Sequence, residues 1–361
     1  MPFLSVVVPT FNERSNVPVL VEHVAAALAG TDWELIVVDD HSPDGTADAV
    51  RAIAQGNTRV RCIERVGRRG LSSAVIEGIM SSSAPLVAVM DGDLQHDVRL
   101  LPRMLEALED PGLDLVIGSR YVAGGGVDDW PAERRAMSDF ATRLARLALK
   151  ADVTDPMSGF FMIRRDAFAR VVQRLSGAGF KILLDVLASA APPLRYRELP
   201  YRFHPRHQGE SKIDARILVE YLTLLLDKTI GRVFPTRFIL FCIVGGSGVV
   251  VHFIVLSLLF TGFGAPFVVA QTAAGGVAMT TNFLLNNVFT YRDQRLRGWR
   301  RLARGLLSFY AVCSVGFVAN VGVAGVVFAS QYAWWISGLA GIAVGTVWNY
   351  AASSRLTWRA T

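Results

Sequence analysis

The chain is nearly without cysteine: Cys62, Cys242 and Cys313 are the only three in 361 residues. An odd, unpatterned set argues against a disulfide framework or a zinc site, and buried reduced thiols are the simpler reading. A basic leader is also missing. Met1-Pro2-Phe3 runs straight into Leu4–Val8, which reads as a buried strand entering Pro9, so the first part of the chain is expected to stay in the cytosol. No Gly-x-Gly-x-x-Gly turn follows that strand, which counts against a dinucleotide cofactor. No aromatic-interleaved basic motif accompanies the net charge of +6, which counts against nucleic acid as a partner.

Long apolar runs are absent from residues 1–235 and abundant afterwards. From Phe238 onward the apolar stretches are of membrane-spanning length, about 20 residues, and spans are expected at 238–260, 266–290, 305–329 and 333–352. The loops 261–265 and 330–332 lack Lys and Arg, whereas 291–304 carries Arg292, Arg295, Arg297, Arg300, Arg301 and Arg304. The positive-inside rule then puts both ends of this region in the cytosol. The region also repeats: Asn282–Arg292 parallels Asn349–Arg359, and Arg237 parallels Arg304, each 67 residues on (349 against 282, 304 against 237). Two helical hairpins entering from one side make a parallel repeat. The preceding segment, Ala215–Val233, has apolar residues at helical spacing. It is either a core helix or an amphipathic helix on the membrane surface, and its place just before the first span favours the latter.

The first part alternates strand signals (Leu4–Pro9, Glu34–Asp39, Arg59–Ile63, Leu86–Met90, Leu115–Gly118) with helical patterns near 16–29, 44–55, 71–82 and 99–109. Such alternation predicts an α/β fold, a mostly parallel sheet covered on both faces. Ligands of open α/β sheets bind outside the strands' carboxyl ends, so acidic residues there matter. Met90-Asp91-Gly92-Asp93-Leu94-Gln95-His96 ends one strand with two aspartates and an amide, hard oxygen donors suited to a divalent cation. Pro9-Thr10-Phe11-Asn12-Glu13 ends another; Glu13 can accept bonds from a ribose or base and Phe11 offers a stacking face, although, taken alone, the segment is better read as a helix start capped by Asn12 or Ser15. Asp39-Asp40-His41-Ser42-Pro43-Asp44-Gly45-Thr46 ends a third, and its adjacent acids require a ligand or a donor to compensate them. Val66-Gly67-Arg68-Arg69-Gly70 is either a solvated basic loop or a phosphate contact.

Taken together these motifs resemble glycosyltransferase family 2, and within it the dolichol-phosphate (polyprenol-phosphate) mannosyltransferases. The matching landmarks run in order: VVVPTFNE at 6–13, DDHSPDGT at 39–46, GLSSAVIEG at 70–78, MDGDLQH at 90–96, GSRYVAGG at 118–125, DPMSGFF at 155–161 and GESK at 209–212. The last third resembles the GtrA-like membrane domain that some prokaryotic members carry. The resemblance implies a GT-A (Rossmann-like) domain over 1–213, an interface helix region over 214–235 and a four-span transmembrane domain over 236–361. It implies that Pro9, Phe11, Glu13, Val38 and Asp40 hold the nucleotide, with Gly92 lining the site. Asp91, Asp93 and Gln95 would take Mg²⁺ or Mn²⁺. Arg120, Arg206 and Lys212 would contact donor or lipid phosphates, with Asp93, Arg120 and Arg206 as the catalytic set. Arg134, or else Arg135, and Ser211 fit further acceptor-phosphate contacts. Phe11 and Gly92 depart from the family's usual Tyr and Ala, leaving backbone contacts intact.

The implied reaction is inverting transfer of mannose from GDP-mannose to a polyprenyl or dolichyl phosphate on the cytosolic face of the cell membrane. The bilayer and the two substrates are the implied partners. A phosphate monoester is already ionised at neutral pH, so no protein base is needed. Two alternatives stand beside this reading: a UDP-glucose or other UDP-sugar polyprenyl-phosphate transferase, and a lipid-linked sugar transporter with a regulatory head. A glycosidase fits less well, because its two carboxylates must flank the sugar about 5–10 Å apart. A processive synthase would carry a Gln-x-x-Arg-Trp motif, and none is present.

Overall fold

The computed structural model describes residues 2–127, 152–177, 179, 181–203, 235–331 and 333–358, with single positions at 142, 143, 145, 146, 149, 223–225 and 227. The chain forms two compact units, Met1–Thr229 and Ile230–Thr361.

In the first unit the expected alternation is present: β1 (Leu4–Thr10), α1 (Asn16–Ala27), β2 (Trp33–Asp39), α2 (Thr46–Gly56), β3 (Val60–Glu64), α3 (Leu71–Ser81), β4 (Leu86–Val89), α4 (Leu100–Ala107) and β5 (Leu115–Ser119). Sequence patterning did not supply the rest: β6 (Gly126–Val127), β7 (Phe161–Arg164), α5 (Arg165–Val171), α6 (Ile182–Ser189), β8 (Tyr196–Pro200) and β9 (Arg202–Phe203). The main sheet has the order β3-β2-β1-β4-β7-β5-β8. All its pairings are parallel except those of β7, which runs against both β4 and β5.

The apolar runs are buried on both faces, as parallel strands require. Alternate residues feed two cores. Val6, Val8, Leu35, Val37 and Ala88 pack with α1, α2 and α4, while Val7, Ile36, Val38, Val87 and Val89 pack with α3, α5 and α6. Because β7 is reversed, its amino end lies beside the carboxyl ends of β4 and β5. The segments after β1, β2, β4, β5 and β8, and the segment before β7, therefore meet at one edge of the sheet.

Arg134, Arg135, Arg206, Ser211 and Lys212 lie outside the described residues, as does most of Ala215–Val233. Within that last segment, Leu224 and Leu225 are buried in a cluster with Ala145, Leu149 and Leu184.

In the second unit, α7 (Thr236–Ser257) pairs with α8 (Phe267–Leu285), and α9 (Trp299–Ala329) with α10 (Trp334–Ala352). Among the described residues three helices are long and apolar enough to cross a membrane: Thr236–Gly262, Phe267–Thr290 and Trp299–Asn320. The fourth expected span, 333–352, falls on the 19-residue α10. One expectation shifts. The helix containing the third span begins at Trp299 rather than 305, so Arg300, Arg301 and Arg304 ride on its first turns instead of a loop.

The sequence repeat has a structural counterpart. α8 ends in a π-helical turn at Asn286–Thr290, and α10 ends in one at Ser353–Thr357. The residues that follow, Tyr291 and Trp358, stack on each other at 4.2 Å with planes 5° apart. Asn282 packs against Gly248, and Asn349 against Gly316, so closely that a Cβ at either glycine would lie within 2.4 Å of the asparagine. Trp358 is fully buried among Phe283, Phe309 and Tyr291 and donates its indole N–H to Asn287 Oδ1 at 3.1 Å. Trp358→Ala is expected to cost about 3–5 kcal/mol, read as a lowered thermal unfolding midpoint in detergent. Tyr291→Phe, which loses only the 2.8 Å bond to Ser354, is expected to cost about 1 kcal/mol.

Candidate active site

At the sheet's carboxyl edge a cavity of about 240 Å³ is lined by Pro9, Thr10, Phe11, Glu13, Asp40, Leu71, Asp91, Gly92 and Asp93. Seven of these nine are residues to which the motifs pointed; Thr10 and Leu71 were not foreseen. Val38 is absent from the lining because its side chain is wholly buried in the core. Three turns that frame this edge carry a non-glycine residue in the left-handed region: Asn12 (φ 63°), His41 (φ 53°) and Leu94 (φ 62°). For a leucine this is an expensive conformation, and such strain gathers where a site must be held in shape.

The adjacent acids Asp39 and Asp40 divide their work. Asp39 is completely buried. Its oxygens accept from Thr10 Oγ1 (3.0 Å), Ser42 Oγ (2.6 Å) and Ser42 N–H (2.8 Å), tying the β1 and β2 turns together. Asp40 faces the cavity and accepts from Arg65 Nη1 at 2.8 Å and from the Gly70 N–H at 2.7 Å. Arg65, which leads into the loop read as either solvated or a phosphate contact, is therefore turned inward. The other loop arginines are also engaged: Arg68 pairs with Glu77 at 3.2 Å, and Arg69 lies 4.4 Å above the Phe11 ring.

Glu13 lines the cavity and accepts from Asn16 Nδ2 at 2.6 Å, while its N–H donates to Thr46 Oγ1 at 3.0 Å. Ser15 makes no side-chain capping bond to α1, so a cap alone does not account for this segment.

After β4, Asp93 and Gln95 are buried, and the Gln95 N–H donates to Asp93 Oδ1 at 3.2 Å. His96 closes the turn. It stacks on Phe160 at 5.1 Å and meets Tyr201 and Phe203 edge-on. Burial pulls its pKa down to about 4, so the imidazole is neutral at pH 7. Its Nδ1 accepts the Asp91 N–H at 3.1 Å, which places the ring proton on Nε2, 3.8 Å from Asp91 Oδ2. His96 thus orients Asp91. Its place in the Asp-x-Asp-x-Gln-His run gave no sign of this, because the aromatic cage comes from distant segments.

Arg120 follows β5 and forms a bidentate pair with Asp155: Nε to Oδ2 and Nη2 to Oδ1, both 2.8 Å. The Asp155 side chain is 0% exposed and that of Arg120 10%. Burial opposes the arginine charge, but the Asp155 bonds outweigh it and raise the pKa above its ordinary value. Lys181, just ahead of α6, donates to the Met157 carbonyl at 3.3 Å. Burial, reinforced by the Arg120 charge, lowers its pKa to about 8, against the pull of Asp91 and Asp155. Asp155 was visible only as the first residue of a family landmark, and Lys181 carried no signal at all.

Among the described residues no group of three or more His, Cys, Asp or Glu is arranged to hold a metal ion. The carboxylates of Asp91 and Asp93 line the same cavity and are nonetheless hard oxygen donors of the kind divalent cations require.

Fold and site together place a cavity walled by Glu13, Asp40, Asp91 and Asp93 at the carboxyl edge of a mostly parallel α/β sheet. The profile of glycosyl transferase family 2 matches residues 5–172, and that of the GtrA/DPMS transmembrane domain matches residues 240–358. A dolichol-phosphate mannosyltransferase of Pyrococcus furiosus is 36% identical over 359 residues, covering 98% of this chain and 99% of the relative. That of Mycosarcoma maydis is 38% identical over 234 residues, covering 63% of this chain and 79% of the relative. Among solved structures, glucosyl-3-phosphoglycerate synthase from Mycobacterium tuberculosis aligns with a TM-score of 0.48 at 19% identity, over 63% of this chain and 79% of that one. The chain belongs to glycosyl transferase family 2: it is a membrane-bound glycosyltransferase with a GT-A head and a GtrA/DPMS transmembrane domain.

The Arg120–Asp155 pair offers a test that separates folding from catalysis. Asp155→Ala leaves a buried guanidinium uncompensated and is expected to cost about 3–5 kcal/mol in denaturant or thermal unfolding. The double change Arg120→Met with Asp155→Leu is expected to recover most of that stability and none of the activity.

Proposed function

We propose that this chain transfers mannose from GDP-mannose to a polyprenyl phosphate of the dolichyl type, with a divalent cation, at the cytosolic face of the cell membrane. The observation that carries this reading is the shared cavity: Asp91 and Asp93 face the same space as Phe11, Glu13 and Asp40. A diphosphate between a nucleoside and a sugar would span those two groups. The names of the relatives support the mannosyl donor and the dolichyl-phosphate acceptor. The transmembrane domain supports an acceptor that arrives from the bilayer.

Asp91, Asp93 and Gln95 are the residues proposed to hold Mg²⁺ or Mn²⁺. When bound, the cation supplies charge neutralisation to the departing diphosphate. The chain's own groups do the rest. Phe11, Glu13 and Asp40 bind the nucleoside, and Pro9, Gly92 and the Val38 backbone shape its pocket. Arg120, oriented by Asp155, presents its guanidinium to the phosphates, and Arg206 and Lys212 are proposed to join it. Arg134 and Ser211 are proposed to hold the acceptor phosphate. That phosphate is the nucleophile, already ionised, so the protein's task is to align it with the sugar's anomeric carbon. A single displacement of this kind inverts the anomeric configuration. The proposed division is a catalytic domain over 1–213, an amphipathic interface helix region over 214–235 and a four-span domain over 236–361 with both ends cytosolic.

The test supplies membranes containing the full chain with polyprenyl phosphate and labelled GDP-mannose or UDP-glucose, with and without EDTA. Mannosyl lipid is expected from GDP-mannose alone, abolished by chelation and restored by Mg²⁺ or Mn²⁺. Asp93→Ala is expected to lower the rate by roughly 100-fold or more, the scale of losing one preorganised electrostatic group. Transfer only from UDP-glucose contradicts the donor assignment, and transfer that survives full chelation contradicts the cation.

A further inference from the structure

The loop between β3 and α3 is fastened to the cavity at two points belonging to two other strands. Arg65 and the Gly70 N–H hold Asp40 at the end of β2, at 2.8 and 2.7 Å, and Arg69 lies over Phe11 beyond the end of β1, at 4.4 Å. The inner fastening is itself immobilised. The Arg65 side chain is 3% exposed; its Nη1 also donates to the Gly70 carbonyl (3.1 Å) and its Nη2 to Ser73 Oγ (2.6 Å). Ser73 in turn donates to the Gly70 carbonyl at 2.9 Å. Glu77 Oε2 lies 3.3 Å from Arg65 Nε, an ion pair without hydrogen-bond alignment. Burying a guanidinium this deeply is seldom justified by stability, which directs attention to what it does for Asp40.

A carboxylate has about four acceptor positions. Asp40 uses one on each oxygen for these anchors, so neither oxygen is consumed, and the group cannot turn about its broad terminal torsion. Held in this way it presents two oxygens side by side at fixed spacing. The base that matches has two adjacent N–H donors on one edge, which is guanine through N1–H and the 2-amino group. Uracil presents a single N–H between two carbonyl oxygens, so it can engage only one of the two carboxylate oxygens and leaves the other without a donor. A site built to bond a donor discriminates strongly against the analogue without it.

We propose that Arg65 is a positioning residue for base recognition, clamping Asp40 with the Gly70 N–H into a two-oxygen acceptor specific for guanine. This rests on the reading that the donor is a guanine nucleotide.

The test is competitive inhibition of sugar transfer by GDP and by IDP, which lacks only the 2-amino group, on the full-length protein in membranes. For the wild type, IDP is expected to bind about 10-fold or more weakly than GDP, the scale of a bidentate contact reduced to one bond. Arg65→Lys keeps the charge and loses the fork. It is expected to bring the two inhibition constants within about threefold, raise the donor KM and leave kcat at saturating donor close to wild type. Ser73→Ala keeps Arg65 and removes one of its supports, so it guards against misfolding of the first variant. Its IDP-to-GDP ratio is expected to fall between those of the wild type and Arg65→Lys, with an unchanged unfolding midpoint. Equal weakening of GDP and IDP in the variants overturns the proposal in favour of a purely structural arginine, and so does an unchanged ratio. A wild type that binds UDP and not GDP removes the donor reading, and the inference with it, before any variant is made.

Discussion

Negative charge concentrated at one edge of a sheet is the constraint around which the catalytic unit is built. Asp39, Asp40, Asp91, Asp93 and Asp155 all lie at the carboxyl edge, and each is stabilised by a different local device. Asp39 is satisfied by hydroxyls and a backbone N–H, Asp40 by Arg65 and Gly70, and Asp155 by the bidentate arginine. Asp91 is oriented through its backbone by a neutral histidine. Without the donors to Asp39, Asp40 and Asp155, carboxylates brought together at one edge would repel one another. With them, the edge offers a shaped negative pocket for a cation and a base.

Much of the fold was legible because parallel strands buried on both faces read as continuous apolar runs. β1 through β5 and the helices between them were placed within a few residues. β7 and β8 were not legible: after Arg120 the pattern is interrupted, and the reversed strand is short. That omission matters for the site, because the reversal of β7 delivers Asp155 and Phe160 to the edge. In the membrane unit the 67-residue repeat was legible in the asparagine and aromatic landmarks. The mutual stacking of Tyr291 and Trp358, which joins the two halves, was not.

The site divides along the same line. Residues on the strand ends, such as Asp40, Asp91 and Asp93, announced themselves by chemistry that a turn does not need, whereas Glu13 entered only through the family resemblance. Their supports did not. His96 acts through an aromatic cage assembled from Phe160, Tyr201 and Phe203. Arg65 adjoins a basic loop whose spacing gave no sign that this arginine is buried, and Lys181 sits ahead of an ordinary apolar helix. Supporting residues are defined by long-range contacts, which spacing along the chain does not encode.

If the pocket at Asp91 and Asp93 binds a nucleoside diphosphate through a divalent cation, nucleotide affinity must depend on that cation. Calorimetric titration of GDP into the full-length protein, with and without Mn²⁺, tests it most directly. Mn²⁺ is expected to tighten GDP binding by about 10-fold or more, roughly 1.4 kcal/mol, and Asp93→Asn to remove most of that gain while GDP still binds weakly. Equal GDP affinity with and without Mn²⁺ would contradict it.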